Sequence, residues 1–125
     1  VFEGVALNMR WLLTYVEKFI KRPFPYINMI GGGANSNIWC QIFADVLDRE
    51  IRQIEDPIQS NGRGAAFLAS IALGYQKVAD LPGLVKCTRT YSPDPRNRSR
   101  YDDLYDAFLT IYKTNKKLYK RLNRL

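Results

Sequence analysis

The sequence predicts an α/β fold, and three features carry that reading. Apolar residues recur at helical three-and-four spacing in separate blocks, short apolar runs lie between the blocks, and glycine or proline punctuates the junctions. Helix, strand, helix, strand, helix in alternation favours parallel pairing in a layered sheet. The strands are few for a free-standing sheet, so the alternation points to part of a larger domain.

The first helix is read from Phe2, Val5, Ala6, Met9, Leu12, Leu13, Val16, Phe19 and Ile20, an amphipathic stripe. It stops before Pro23 and Pro25, because proline lacks an N–H and clashes with the preceding turn. Val1 and Phe2 already sit in the stripe, with no start methionine and no capping residue ahead of them. The chain therefore reads as a segment of a longer polypeptide. Residues 26–30 read as a short buried strand that runs into Gly31-Gly32-Gly33-Ala34-Asn35-Ser36. A second helix follows, with Ile38, Trp39, Ile42, Phe43, Val46 and Leu47 on one face and Asn35 or Ser36 as its cap.

A second short strand is expected at residues 51–54, then a turn at Asp56-Pro57. The third helix, residues 63–75 after Asn61-Gly62, is apolar nearly all round and is expected to be buried. Asp80-Leu81-Pro82-Gly83 reads as a turn, and residues 85–91 as an edge strand. Pro93-Asp94-Pro95 breaks the chain before a last helix, residues 99–122, striped by Tyr101, Leu104, Tyr105, Phe108, Ile111, Tyr112, Leu118, Tyr119 and Leu122. Trp11 and Trp39 read as core residues.

Composition narrows the function. With 125 residues, 46% hydrophobic and 25% charged, the chain has room for one globular domain and is neither a disordered tail nor a collagen-like repeat. Its longest nearly apolar stretch, residues 65–73, is far below the roughly 20 residues of a membrane span. No membrane partner is expected. Histidine is absent, which removes Ser-His and Cys-His nucleophile systems and most zinc sites. Cys40 and Cys87 read as reduced thiols of a cytoplasmic protein, Cys40 as inert packing. Asp45 and Asp48 lie near one another on the second helix and read as solvated or capping carboxylates rather than a metal pair.

The net charge of +7 raises a basic nucleic-acid-binding role as one alternative. Lys113, Lys116, Lys117, Lys120, Arg121 and Arg124 crowd the end of the last helix, with Asp102, Asp103 and Asp106 near its start. That polarity suits the helix dipole. Tyr105, Tyr112 and Tyr119 fall on the apolar stripe and are expected to be buried, so a solvated terminal helix is the preferred reading.

The three glycines between strand and helix are the most informative local feature. They let ligand atoms approach the backbone, and the helix start offers unpaired N–H groups to phosphate or ribose oxygens. A tight turn that binds nothing fits the same residues. A Walker loop is excluded, since no Gly-Lys-Ser/Thr follows. A Rossmann-type dinucleotide module is a further alternative: Gly31-x-Gly33 fits half its fingerprint and Glu55 or Asp56 its ribose acid, although Ser36 stands where the third glycine belongs. By itself the loop stays ambiguous.

The longer string from Gly31 to Leu47, GGGANSNIWCQIFADVL, closely resembles the second-domain nucleotide segment of the FGGY carbohydrate kinases, in particular the xylulokinase branch. Val1-Phe2-Glu3-Gly4-Val5-Ala6 resembles the end of the family's second signature, Gly64-Ala65-Ala66-Phe67-Leu68-Ala69 its GAAxLA helix, and Pro93-Asp94-Pro95 with Tyr101-Asp102-Asp103-Leu104-Tyr105 its closing segment. The resemblance spans essentially the whole chain. It implies the C-terminal portion of an actin-like, ribonuclease-H-like second domain, with the N-terminal domain outside this chain. It also implies ATP with Mg2+ as cofactors, γ-phosphate transfer to a hydroxyl of xylulose or a related sugar, and a sugar bound mainly by residues outside the chain.

By position, the resemblance puts Gly31, Gly32 and Gly33 along the adenosine and α-phosphate, Ala34 among the cofactor-binding residues with them, Ser36 and Asn37 near the adenine, and Gly64 and Ala65 in the opposite wall. The lead-in to that wall departs from the family: Gln59-Ser60-Asn61-Gly62-Arg63-Gly64 replaces a common Glu-x-x-Ala-Leu-Gly. The resemblance places the family's catalytic aspartate upstream of Val1, so the chain alone is expected to have no kinase activity. It assigns no metal ligand here and leaves a homodimer among the open oligomeric states.

Overall fold

Apolar periodicity and proline stops set the first elements where expected. A computed structural model describes residues 1–123. In chain order these form α1 (Phe2–Ile20), β1 (Tyr26–Met29), α2 (Asn37–Leu47), β2 (Glu50–Ile54), α3 (Ser60–Ala72), α4 (Leu81–Leu84), β3 (Cys87–Tyr91) and α5 (Arg98–Leu122). Helix α1 closes at Lys21 in the left-handed conformation, φ 57°. Phe24 N–H then donates to the Glu17 carboxylate at 2.8 Å, so the chain turns away before Pro25. The Ser36 hydroxyl accepts from Trp39 N–H at 3.3 Å, which settles the cap of α2 on Ser36 rather than Asn35.

The sheet has three strands in the order β1-β2-β3. β1 and β2 are parallel, with Tyr26 opposite Glu50 and Met29 opposite Gln53. β3, the expected edge strand, is antiparallel to β2, so the parallel pairing favoured by the alternation holds for β1 and β2 only. The reason is the route of the chain. After β2 it leaves through α3 and α4 and re-enters at the same end of the sheet, where Glu55 N–H donates to Lys86 C=O at 3.0 Å. A strand that re-enters where the last one left has to run the other way.

Helix α2 is the centre of the core. It buries Cys40, Phe43, Ala44, Val46 and Leu47 against Ala6, Leu7 and Leu13 of α1, Ile51 of β2, Tyr91 of β3 and Tyr101 of α5. Val46 and Ile51 are essentially inaccessible, and each contributes about 1.5–3 kcal/mol by its burial.

Several expectations from sequence are corrected. β1 is not buried: Tyr26, Asn28 and Ile30 are exposed, because β1 is an edge strand and one of its faces has little above it. Helix α3 begins three residues early, continuing the short turn Pro57–Gln59, and buries none of its residues. Leu68 is 70% exposed: only the side carrying Arg63, Gly64, Phe67, Ser70 and Ile71 is half covered, and three strands offer too little sheet for more. The expected turn at residues 80–83 is a short 3-10 turn, Val78–Asp80, followed by α4. Trp11 and Trp39 are half-buried at the core's rim. Tyr112 and Tyr119 are exposed, since α5 runs on past the end of the core and only Tyr101, Leu104, Tyr105 and Phe108 reach it. Arg124 lies outside the described residues.

Asp45 is the sharpest correction. It is buried, and its carboxylate accepts from Gln41 Nε2, Asp94 N–H and Asn97 Nδ2, each at 2.8 Å. Its role is to tie α2 to the turn that starts α5. Asp48, in contrast, is exposed at the end of α2 and pairs with Arg98 at 2.8 Å.

Candidate functional site

The glycine loop lies at the carboxyl end of β1, where a parallel pair of strands presents its ligand-facing edge. Each of its glycines is there for a different reason. Gly31 has φ 83° and ψ −179°, a conformation essentially closed to residues with a Cβ. Its N–H donates to Pro57 C=O at 2.8 Å, which fastens the loop to the turn leading into α3. A Cβ on Gly33 would come within 2.6 Å of the Trp39 ring, so Gly33 serves the packing of that indole. Gly32 has neither constraint: a Cβ there would meet nothing within 4 Å. It is exposed and turned toward open space.

The rest of the loop is a short 3-10 turn, Gly32–Asn35, whose buried residue is Ala34. Ala34 C=O accepts from Gln53 Nε2 at 2.5 Å and from the Cys40 thiol at 3.6 Å. Burial pushes the Cys40 thiol pKa up, which fits a structural sulfur rather than a reactive one. Asn37 begins α2 and its Oδ1 accepts from the Tyr91 hydroxyl at 2.7 Å. Of the first-turn amides of α2, Trp39 N–H is taken by the Ser36 cap, while those of Asn37 and Ile38 precede the helix's own acceptors and face an incoming anion.

Gly64 is the residue expected in an opposite wall. With Asn28, Ile30, Ile54, Arg63 and Phe67 it lines a cavity of about 320 Å³ on the α3 side of the strand ends. Gly64 is half-buried in mid-helix, and a Cβ on it would also meet nothing within 4 Å. Arg63 holds this wall in place by donating to Glu55 C=O at 2.7 Å. A second cavity of about 310 Å³ lies on the other side of β1, lined by Gly33, Trp39, Met9 and Phe43 and sharing Asn28 and Ile30. The glycine loop and Gly64 thus flank the end of one strand. Ala65 is exposed and does not line the Gly64 cavity.

Sequence reasoning did not single out Asn28, Gln53, Arg63 or Tyr91. Asn28 carried a faint signal, a lone amide in an apolar strand. Gln53 and Tyr91 carried none, since only the register of the sheet brings them to the loop.

A nucleotide fits this donor set, because the open Gly32 backbone and the start of α2 offer N–H groups and no side chain in the way. Among the described residues no three Asp, Glu, Cys or His side chains come together in a cluster that could hold a metal ion.

Comparison with known proteins decides the family. The model of the FGGY family of carbohydrate kinases, C-terminal domain, matches residues 1–73. The chain belongs to this family. A xylulose kinase of Staphylococcus epidermidis is 32% identical over 94 residues, covering 74% of this chain and 19% of that kinase. The crystal structure of a xylulose kinase from Rhodospirillum rubrum superposes with a TM-score of 0.75 at 30% identity, over 95% of this chain and 24% of that one. A gluconate kinase from Lactobacillus acidophilus superposes with a TM-score of 0.83 at 26% identity, over 98% of this chain and 25% of that one. The fold is therefore that of the FGGY kinases, a piece of the actin-like, ribonuclease-H-like architecture. The chain spans about a fifth of the length of the curated relatives it matches. No helix among the described residues is long and apolar enough to cross a membrane.

Proposed function

We propose that this chain is the C-terminal portion of the second domain of a cytoplasmic, ATP-dependent sugar kinase, and that it forms one wall of the nucleotide cleft. The observation that carries the reading is Gly32, a glycine that neither backbone conformation nor packing demands, facing open space at the head of a capped helix. The adenosine and α-phosphate run along Gly31, Gly32 and Gly33, with Ser36 and Asn37 toward the adenine, while the fully buried Ala34, expected from sequence to bind the nucleotide, supports the loop from inside. Gly64 and its exposed neighbour Ala65 form part of the opposite wall.

Magnesium and the sugar are held by other parts of the full-length polypeptide and by the phosphates. Phosphoryl transfer depends on positioning and charge stabilisation from both sides of a cleft, so the isolated chain has no kinase activity. The bound nucleotide supplies the transferable γ-phosphate. What this chain does is fix the nucleotide's other end and keep side chains out of its path.

The test is ATP-dependent phosphorylation by the full-length polypeptide, assayed on xylulose, gluconate and glycerol, beside the isolated chain. The reading expects turnover of at least one sugar by the full-length polypeptide and none by the chain. Turnover by the chain alone, or a full-length polypeptide that binds NAD and not ADP, would overturn it.

A further inference from the structure

Two residues remote in sequence from the glycine loop control its shape. Ala34 C=O can only accept, so the Gln53 side chain must present its NH2 group to it, at 2.5 Å. That orientation turns Gln53 Oε1 toward the Tyr91 hydroxyl, 3.3 Å away. The single phenolic proton goes to the closer acceptor, Asn37 Oδ1 at 2.7 Å. Asn37 is left with its amide NH2, which makes no hydrogen bond among the described residues, as a free donor at the start of α2. The link between β2, β3, the loop and the helix start is therefore directional.

The surroundings favour this arrangement. Tyr91 is 5% exposed, and burial raises its pKa, so the hydroxyl keeps its proton and stays a donor. Gln53 sits opposite Met29 in the parallel register and opposite Arg89 in the antiparallel one, in the middle strand of the sheet. The loop is thus pinned at Gly31 by Pro57, at Ala34 by Gln53 and at Asn37 by Tyr91, while Gly32 between them stays open.

We infer that Gln53 and Tyr91 are positioning residues for nucleotide binding: they hold the Ala34 carbonyl and fix the Asn37 side chain so that its amide NH2 stays free to donate to the ligand. The inference rests on the nucleotide reading of the loop given above. Neither residue touches the nucleotide; each acts through the loop.

The experiment is steady-state kinetics of the full-length polypeptide with ATP and sugar varied separately. Tyr91→Phe keeps the buried ring and deletes one hydrogen bond. It should raise the KM for ATP roughly fivefold, as the loss of one such bond implies, with the sugar KM unchanged. Gln53→Met should show the same split, and the double variant should be little worse than either single one, because both feed one network. A merely structural role would lower thermal stability without separating the two KM values. Gly32→Val serves as the control. If Gly32→Val raises the ATP KM and both network variants leave it within twofold of the parent, the inference is overturned and the nucleotide reading stands. If none of the three changes it, the nucleotide reading itself fails.

Discussion

Asp45→Ala removes the most heavily used buried carboxylate of the fold. Three donors lose their acceptor, but not at equal cost. Gln41 Nε2 also donates to Ser92 C=O at 2.9 Å and keeps that partner. The half-buried Asn97 amide can turn to water. Asp94 N–H, a backbone donor fixed just ahead of the 3-10 turn Pro95–Asn97, has no such freedom. One stranded backbone donor costs about 1–3 kcal/mol, and the lost charge-assisted bonds raise the sum toward the top of that range. We expect a loss of roughly 2–3 kcal/mol. Urea unfolding followed by circular dichroism reads this as a lower midpoint at unchanged slope. Asp45→Asn, which keeps two lone pairs in the same place, should lose less. A loss below about 0.5 kcal/mol for Asp45→Ala, the size of an ordinary surface change, would refute the view that this carboxylate ties α2 to α5.

The glycine loop yields a graded series. Gly33→Ala should destabilise by about 1–3 kcal/mol through overpacking against Trp39, Gly31→Ala by about 1–2 kcal/mol through its φ of 83°, and Gly32→Ala by almost nothing, all readable by thermal unfolding. The Asp102 carboxyl is held below the usual carboxylate range first by its hydrogen bond from Arg10, with Arg98 adding to it against some desolvation. Its native pKa is depressed, so its contribution to stability is full above about pH 4 and is lost as pH falls through the native value. Arg10→Met should therefore flatten the acid limb of the stability curve, and an unchanged limb would contradict the pairing. Of the two free thiols, exposed Cys87 should react at once with a thiol reagent at pH 8, whereas buried Cys40 should react only after unfolding. Rapid labelling of both would contradict the packing of Cys40 beneath Ala34.

How legible the fold was depended on how local its causes are. The stripe from Phe2 to Ile20, the stop at Pro23, a cap at Asn35 or Ser36 and the glycine turn each act within a few residues, and all were readable, with the structure choosing Ser36 for the cap. The direction of β3 was not, because it follows from the re-entry of the chain beside Glu55. The exposure of α3 was misread for a related reason. Its apolar content was plain, but whether a helix is covered depends on how much sheet there is to cover it. Asp45 reads from sequence as a solvated or capping carboxylate because its three donors come from residues 41, 94 and 97, two of them far along the chain. The same limit applies to the site. Gly31, Gly32, Gly33 and Gly64 could be named from the string, whereas Gln53 and Tyr91 reach the loop only through strand register.

The most direct measurement is titration of ADP into the full-length polypeptide, parent and Gly32→Val, by isothermal calorimetry beside a melting curve of each. A valine side chain at Gly32 enters open space, so the account predicts an unchanged melting temperature and at least a tenfold loss of ADP affinity. Unchanged ADP affinity in a variant that melts like the parent would show that the nucleotide does not lie along this loop.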